Sequence, residues 1–164
     1  MKRSTILLPV FALALTLVAA TAPRPAFTMQ GKPHAATART VMEVYKSPTC
    51  GCCKQWVDHA KSAGFDTRVT DLDDAALDAK KASLGVAPRL QSCHTSVVGG
   101  YVIEGHVPAA DIARLLKERP SVVGLAAPGM PRGSPGMEMP NGMKDAYDVV
   151  SFDKSGATKV FARH

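Results

Sequence analysis

The chain has 164 residues, with 20 lysines and arginines against 14 aspartates and glutamates, a formal net charge of +6 and 5% aromatic residues. Because the basic residues are scattered and the aromatic side chains are too few to form stacking platforms, the composition argues against a nucleic-acid-binding protein. The length suits one domain with a modest hydrophobic core.

Residues 1–20 predict a secretory signal peptide. Lys2 and Arg3 precede a largely apolar run, residues 6–18, which is shorter than the roughly 20 residues of a transmembrane span and is followed by small residues. Residues 21–39 have no apolar period and predict a flexible leader. We therefore expect an exported, periplasmic protein without stable membrane insertion after signal cleavage.

The next part of the chain is organised around a cysteine-rich turn. Residues 40–45 predict a first strand, which leads into the segment Ser47–Cys53, here called the cysteine hook. The hook holds three of the four cysteines directly before a helical pattern, where unpaired N–H groups and the helix dipole favour the thiolate. The helical period makes Cys53 the inner thiol and places Cys50 and Cys52 at the exposed mouth. Chemistry at sulfur is therefore the leading hypothesis.

Four strands and three helices are predicted in a domain spanning residues 40–120. After the first strand, periodicity and turn signals place a helix at 52–63, a strand at 65–70, a helix capped by Asp73 and ending at Gly85, strands at 89–98 and 101–104, and a helix opened by Pro108 and stopped by Pro120. This β-α-β-α-β-β-α order is the thioredoxin-like plan and predicts a mixed four-stranded sheet with flanking helices. Pro88 occupies a place that is often cis in that plan and faces the cysteines. Lys80 and Lys81, late in the second helix, complement its dipole.

The remaining residues, 121–164, differ in character. A Gly/Pro-rich loop at residues 128–146, here called the methionine loop, precedes two alternating segments, 147–152 and 157–161, that predict a terminal hairpin. We expect the loop and the hairpin to pack on the same domain. The loop methionines either ligate a soft metal, if the loop folds over the cysteines, or belong to a disordered linker: Met130, Met137, Met139 and Met143.

The cysteine spacing leaves several chemistries open. Cys50 and Cys53 have the C-x-x-C spacing of a dithiol oxidoreductase. Cys52 would compete in such an enzyme, whereas a soft ion such as Cu(I) would gain a ligand from it. Cys93 lies just beyond Pro88, where this fold brings the third strand near the helix N-terminus, so four sulfurs are able to converge. Two structural disulfides are the default for an exported chain with four cysteines, although neighbours such as Cys52 and Cys53 bridge only with strain.

Two histidines are further candidates for the same site. His94 adjoins Cys93 and is a metal ligand, a proton shuttle or a plain strand residue. His106, between the hairpin and the third helix, either reaches the same end of the sheet or is a hydrogen-bonded surface histidine. His59 and His164 are expected to be solvated.

Four separated motifs resemble those of the CopG-type copper-resistance proteins, which are small exported metal-binding proteins. The motifs are Ser-Pro-Thr-Cys-Gly-Cys-Cys-Lys-Gln-Trp from Ser47, Ser-Cys-His-Thr from Ser92, Gly-Tyr-Val-Ile-Glu-Gly-His-Val-Pro from Gly100, and Gly-Leu-Ala-Ala-Pro-Gly-Met-Pro from Gly124. The resemblance covers about residue 40 to the C-terminus. It implies a thioredoxin-like fold, a cysteine-bridged cluster of copper ions and an oxidoreductase role between copper states.

The resemblance also implies which residues hold the metal. Carried over onto this sequence, it implies that the cluster thiols are Cys50, Cys52, Cys53 and Cys93. It also implies three further motif positions as ligands, which are His94, His106 and Met130.

We therefore expect an exported protein of copper resistance that holds several Cu(I) ions in a cysteine-bridged site. Interconversion of Cu(I) and Cu(II), and with it an enzymatic role, is left open. The alternatives are a thiol-disulfide oxidoreductase that uses Cys50 and Cys53, and a copper metallochaperone that uses Cys50 and Cys52 with a methionine. Zinc in a four-thiolate site is also open. The expected partners are copper ions and other exported copper-handling proteins.

Overall fold

The computed structural model describes residues 39–164, so the predicted signal peptide and all but the last residue of the predicted leader lie outside the described residues. None of the helices in the described part is long and apolar enough to cross a membrane. In chain order the elements are β1 (Val41–Lys46), α1 (Gly51–Ser62), β2 (Asp66–Asp71), α2 (Asp74–Ser83), a 3-10 helix (Pro88–Leu90), β3 (His94–Val98), β4 (Tyr101–Gly105), α3 (Ala109–Glu118), β5 (Gly124–Ala127), β6 (Asp148–Phe152) and β7 (Thr158–Arg163).

The strands form one mixed sheet in the order β2-β1-β3-β4-β5-β6-β7. β1 pairs with β2 and β4 pairs with β5 in parallel, whereas the other four neighbouring pairs are antiparallel. The mixed sheet with flanking helices is confirmed, but the predicted count of four strands is wrong. The terminal hairpin β6-β7 extends the same sheet through β5, a strand that the sequence reading missed.

Strand β5 escaped prediction because it is short and carries no alternating pattern. All four of its residues are buried. Its first residue, Gly124, approaches β4 so closely that a Cβ atom would lie 1.8 Å from the carbonyl oxygen of Val102. A glycine is required at this contact, and glycine is a residue that sequence patterns assign to turns rather than strands.

Consecutive residues of β4 divide the core between the two faces of the sheet. Ile103 packs in a buried cluster with side chains of α1 and α3, whereas Val102 belongs to a second cluster that includes Leu90 of the 3-10 helix. Because side chains alternate along a strand, Glu104 lies on the same face as Val102. That face receives α2, whose Lys81 contacts Glu104.

The segment before β3 differs from its prediction. The described part of the chain contains no cis peptide bond, so Pro88 does not have the cis conformation that is frequent at the corresponding place of the thioredoxin-like plan. Pro88 instead begins the 3-10 helix, where a residue without an N–H group fits the first position. The predicted strand at 89–98 therefore starts only at His94, and Cys93 lies on an irregular connection rather than inside the strand.

Two histidines expected in solvent have structural partners. The side-chain Nε2 of His59 accepts a hydrogen bond of 3.1 Å from the backbone N–H of Ala109, at the start of α3. Pro108, which precedes this helix, offers no side-chain cap. At the C-terminus, His164 Nε2 lies 2.7 Å from a carboxylate oxygen of Asp111. The expectation of a solvated ring is wrong at the half-buried His59, whereas His164 is exposed and gains one partner.

We expect the stability contribution of His59 to depend on pH. Burial lowers the pKa of His59 from its ordinary 6.5, against an opposing effect of Glu138. The folded state thus prefers the neutral ring, so the contribution is complete above pH 6.5 and declines as the pH falls towards the lowered folded value. His59→Ala should cost about 1 kcal/mol of unfolding free energy at pH 7.5 and less at pH 5.

Urea denaturation at both pH values checks this expectation. His59→Gln is the matched control, because its amide oxygen is able to accept the same hydrogen bond without titrating. A difference between wild type and His59→Gln that is unchanged from pH 7.5 to pH 5 would contradict the assignment.

Candidate metal centre

The structure brings all four cysteines together. Three come from the cysteine hook, where β1 passes into α1, and the fourth comes from the connection before β3. Their sulfur atoms all lie within 4.8 Å of one another. Cys52 is central, because its Sγ lies 3.5 Å from that of Cys50 and 3.9 Å from that of Cys93.

Hydrogen bonds within and beside the cysteine hook fix its position at the start of α1. Cys50 caps α1, since its Sγ accepts a hydrogen bond of 3.3 Å from the backbone N–H of Cys53. Cys53 is fully buried with Trp56 on the inner face of α1, which confirms it as the inner thiol. Trp56 in turn donates its Nε1–H to the carbonyl oxygen of Val107 at 2.9 Å. These contacts fix the first two turns of the helix against the region that carries His106.

Cys50 and Cys53 are joined by a disulfide, whereas Cys52 and Cys93 are free thiols. The same four residues form a possible metal-binding group. The disulfide belongs to the oxidised protein, and the group of four ligands belongs to the reduced protein. Bonded sulfurs are not thiolates, and the thiolate is the form that binds metal. A set of four thiolate ligands therefore exists only after the disulfide takes up two electrons.

His106 is buried beside the cysteines and has a defined hydrogen-bonding state. Its Nδ1 lies 2.7 Å from the carbonyl oxygen of Pro135, and its Nε2 lies 2.9 Å from the Sγ of Cys93. Because a carbonyl only accepts, Nδ1 carries the proton and the Nε2 lone pair faces the sulfur. Metal-ligating histidines typically donate their second N–H in this way. Burial lowers the pKa of His106, against opposing effects of the Pro135 carbonyl and Glu138, which favours the neutral ring.

His94 also adjoins the cysteine group. Its Nδ1 lies 3.6 Å from the Sγ of Cys93, and its Nε2 has no hydrogen-bond partner within residues 39–164. Burial holds the pKa of His94 well below its usual value, and electrostatic repulsion from His106, Lys81 and Lys46 adds to this effect. Cys93, His94 and His106 thus form a second group of possible ligands, and Cys93 belongs to both groups.

The surroundings of Cys93 favour its protonated thiol. Burial raises its pKa to about 12, and the adjacent Cys52 adds to the rise. A soft metal that binds Cys93 must displace its proton, so binding there depends on pH.

One stretch of the methionine loop lies against the cysteine hook. Gly136 is buried, and a Cβ atom on it would lie 2.7 Å from the carbonyl oxygen of Cys52 and 2.7 Å from the backbone nitrogen of Trp56. The neighbouring Pro135 holds His106 through its carbonyl group. This stretch is therefore a packed cover rather than a free linker.

Met130 is less closely associated with the site. It follows Gly129, whose N–H donates to Gln91 at 3.3 Å and whose carbonyl accepts from the hydroxyl of Ser92. Met130 is 54% exposed, so its role as a ligand stays a prediction.

A cavity of about 410 Å³ opens next to the sulfur atoms, with Cys50 and Cys93 in its wall. Two carboxylates of α2, Asp74 and Asp78, line the same cavity. A cavity of about 620 Å³ elsewhere, between Gly100 and the β6-β7 turn, contains no cysteine, histidine or methionine in its wall. The smaller cavity is therefore the one relevant to sulfur chemistry.

Comparison with known proteins agrees with the motifs. A protein-family model described as "Protein of unknown function, DUF411" matches residues 90–137, which include Cys93 and both candidate histidines but not the hook. No curated protein matches the chain. The chain is similar to a solved structure of the copper resistance protein CopG, form 1, with 45% identity and a TM-score of 0.71. A second structure of that protein, form 2, matches with 47% identity and a TM-score of 0.69. Both alignments cover 77% of this chain and 98% of the solved chain.

Proposed function

This chain belongs to the family of the copper resistance protein CopG, and we propose that it is an exported, periplasmic protein that holds several Cu(I) ions in a cysteine-bridged site. One observation carries the proposal: the four cysteine sulfurs lie within 4.8 Å of one another. Thiolates suit Cu(I), and such close spacing allows one sulfur to bridge two ions. The copper ions are the cargo of this site, and other exported copper-handling proteins are the partners that would supply or receive them.

The proposed ligands divide into two groups that share Cys93. The hydrogen bond from His106 Nδ1 to Pro135 leaves Nε2 free to bind metal, and His94 presents its Nδ1 3.6 Å from the Cys93 sulfur while its Nε2 has no partner within residues 39–164. Met130 joins the proposal because its neighbour Gly129 is tied to the segment that carries Cys93. The complete proposed set is Cys50, Cys52, Cys53, Cys93, His94, His106 and Met130.

We also propose that the first four strands and the three helices are thioredoxin-like. The strand order β2-β1-β3-β4, with β1 and β2 parallel and β3 antiparallel to both of its neighbours, supports this description. In this proposal residues 40–120 form the metal-binding domain, and residues 121–164 add the methionine loop and hairpin to it.

Copper loading in two redox states tests the function. Protein kept reduced and free of oxygen should bind several Cu(I) ions per chain and show thiolate-to-copper absorption. Protein with the Cys50–Cys53 disulfide intact should lose most of this capacity, because two of the four sulfurs are no longer thiolates. Equal capacity in both states would contradict the cysteine-bridged site. Zinc loading of the same reduced protein serves as the comparison for the choice of metal, because oxygen oxidises bound Cu(I) but not bound Zn²⁺.

The disulfide itself favours a second candidate, a thiol-disulfide oxidoreductase. Cys50 lines the cavity and Cys53 is fully buried, so an external dithiol would attack Cys50 and Cys53 would leave as the thiolate. The second thiol of the reductant then releases Cys50, and the reductant is oxidised by two electrons. The reduced Cys50 thiolate is then able to attack a disulfide of insulin, and Cys53 releases the reduced product as the Cys50–Cys53 disulfide forms again. Insulin reduction with an excess of the dithiol measures this cycle. An activity that is indifferent to Cys52→Ser would support it over the copper site.

A further inference from the structure

Lys81 of α2 and Glu104 of β4 form an unusual ion pair. Their Nζ and Oε1 atoms lie 2.9 Å apart, and the two side chains are only 3% and 0% exposed. Every other ion pair within residues 39–164 has at least one side chain that is 32% or more exposed. Removing two charges from water is costly, and apolar side chains of similar volume often stabilise a core as well or better. Stability alone is therefore a weak explanation for this pair.

The pair holds both backbone polar groups of Ser92. The Ser92 N–H donates to Glu104 Oε1 at 2.7 Å, and Lys81 Nζ donates to the Ser92 carbonyl oxygen. Ser92 lies outside the strands, so no sheet hydrogen bonds serve these groups. Its side chain also rests on Gly105, where a Cβ atom would lie 2.5 Å from that of Ser92. The residue directly before Cys93 is thus fixed from two sides.

The same residue connects the site to the methionine loop. The Ser92 hydroxyl donates to the carbonyl oxygen of Gly129, one residue before Met130. On the other side, Glu104 stands two residues before His106, whose Nε2 faces the Cys93 sulfur at 2.9 Å. The ion pair therefore contacts the residue next to Cys93, includes a residue close in sequence to His106, and holds the residue whose hydroxyl binds the methionine loop.

We propose that Lys81 and Glu104 are positioning residues of the metal centre: their buried ion pair fixes the Ser92 backbone, so that the Cys93 thiol faces both the hook sulfurs and His106. This inference rests on the proposed function. Neither side chain is among the proposed ligands, and the pair acts through the backbone of Ser92, next to the ligand Cys93. What it contributes is the placement of Cys93, the residue common to both ligand groups.

The double variant Lys81→Met/Glu104→Leu tests the role. It removes both charges together, so no uncompensated charge stays buried and the fold is expected to persist. Because the two hydrogen bonds to the Ser92 backbone are lost, Cu(I) affinity should fall about 10- to 100-fold. Removing residues that hydrogen-bond to metal ligands typically has an effect of this size. The thiolate-to-copper absorption should also shift towards that of Cys93→Ser. Competition with a chromophoric Cu(I) chelator measures the affinity.

Val102→Ala is the matched control. Val102 lies on the same face of β4 as Glu104 and packs in the neighbouring apolar cluster, so its truncation lowers stability without touching Ser92. It should keep wild-type Cu(I) affinity and absorption. A folded double variant with wild-type affinity and absorption would overturn the inference.

The experiment distinguishes a failure of the positioning role from a failure of the proposed function. If the double variant does not fold, Lys81→Met replaces it, because it removes the donor to the Ser92 carbonyl oxygen, and Cu(I) affinity no weaker than that of Val102→Ala would overturn the inference. If the wild-type protein itself binds no Cu(I) through its thiols, the proposed function fails. Wild-type binding together with an unaffected double variant contradicts only the positioning role.

Discussion

Cys52→Ser is expected to remove most of the Cu(I) that the reduced protein binds. The Cys52 sulfur lies between those of Cys50 and Cys93, at 3.5 Å and 3.9 Å, so it is the atom best placed to bridge ions. Replacing one atom of a half-buried side chain is a small change in volume, and the fold should be retained. Copper analysis after anaerobic loading, together with the thiolate-to-copper absorption, measures the loss.

The Cys52→Ser experiment also separates the two candidate functions. A dithiol exchanger needs only Cys50 and Cys53, so its activity would be unaffected by the substitution. Thr49→Ser is a suitable control, because it alters the cysteine hook without removing a sulfur atom. Stoichiometric Cu(I) binding that survives Cys52→Ser would count strongly against a bridged cluster.

Gly136→Ala is expected to lift the methionine loop from the site. Gly136 has a φ of +83°, and an added Cβ would lie 2.7 Å from backbone atoms of Cys52 and Trp56. Backbone atoms of a helix do not yield as a flexible side chain does, so the loop must move. Movement of the adjacent Pro135 would break its hydrogen bond to His106 and expose the metal centre on that side.

Gly142→Ala is the control for Gly136→Ala. Gly142 has a similar φ of +70°, but nothing lies within 4 Å of an added Cβ. Both variants carry the left-handed backbone cost of about 1–2 kcal/mol, and Gly136→Ala should lose on the order of 2 kcal/mol more. Transfer of Cu(I) to a chelator should be on the order of tenfold faster from Gly136→Ala. Equal transfer rates and equal unfolding free energies for the two variants would show that the loop does not cover the site.

Local patterns explain why much of the fold was predictable. The spacing of Cys53, Trp56, Val57 and Ala60 identifies one buried face of α1, and all four residues are buried in the structure. Turn signals likewise separate β3 from β4. These features depend on residues close together in the chain, where helical and strand periods act directly.

The features that the sequence did not reveal depend on contacts between distant residues. The sequence predicts Lys81 late in a helix, where it complements the dipole, and only the structure shows that it is also buried against Glu104, 23 residues away. His59 caps a helix that begins 50 residues later. The role of Gly136 follows from its contact with α1, and no local pattern distinguishes it from the other loop glycines.

Copper K-edge X-ray absorption on protein loaded without oxygen tests the central claim most directly. If the four cysteines share several Cu(I) ions, the edge should be that of Cu(I), with sulfur as the main neighbour and a copper–copper distance in the scattering. A single copper ion without a copper neighbour, or a shell dominated by nitrogen and oxygen, would contradict the cysteine-bridged site.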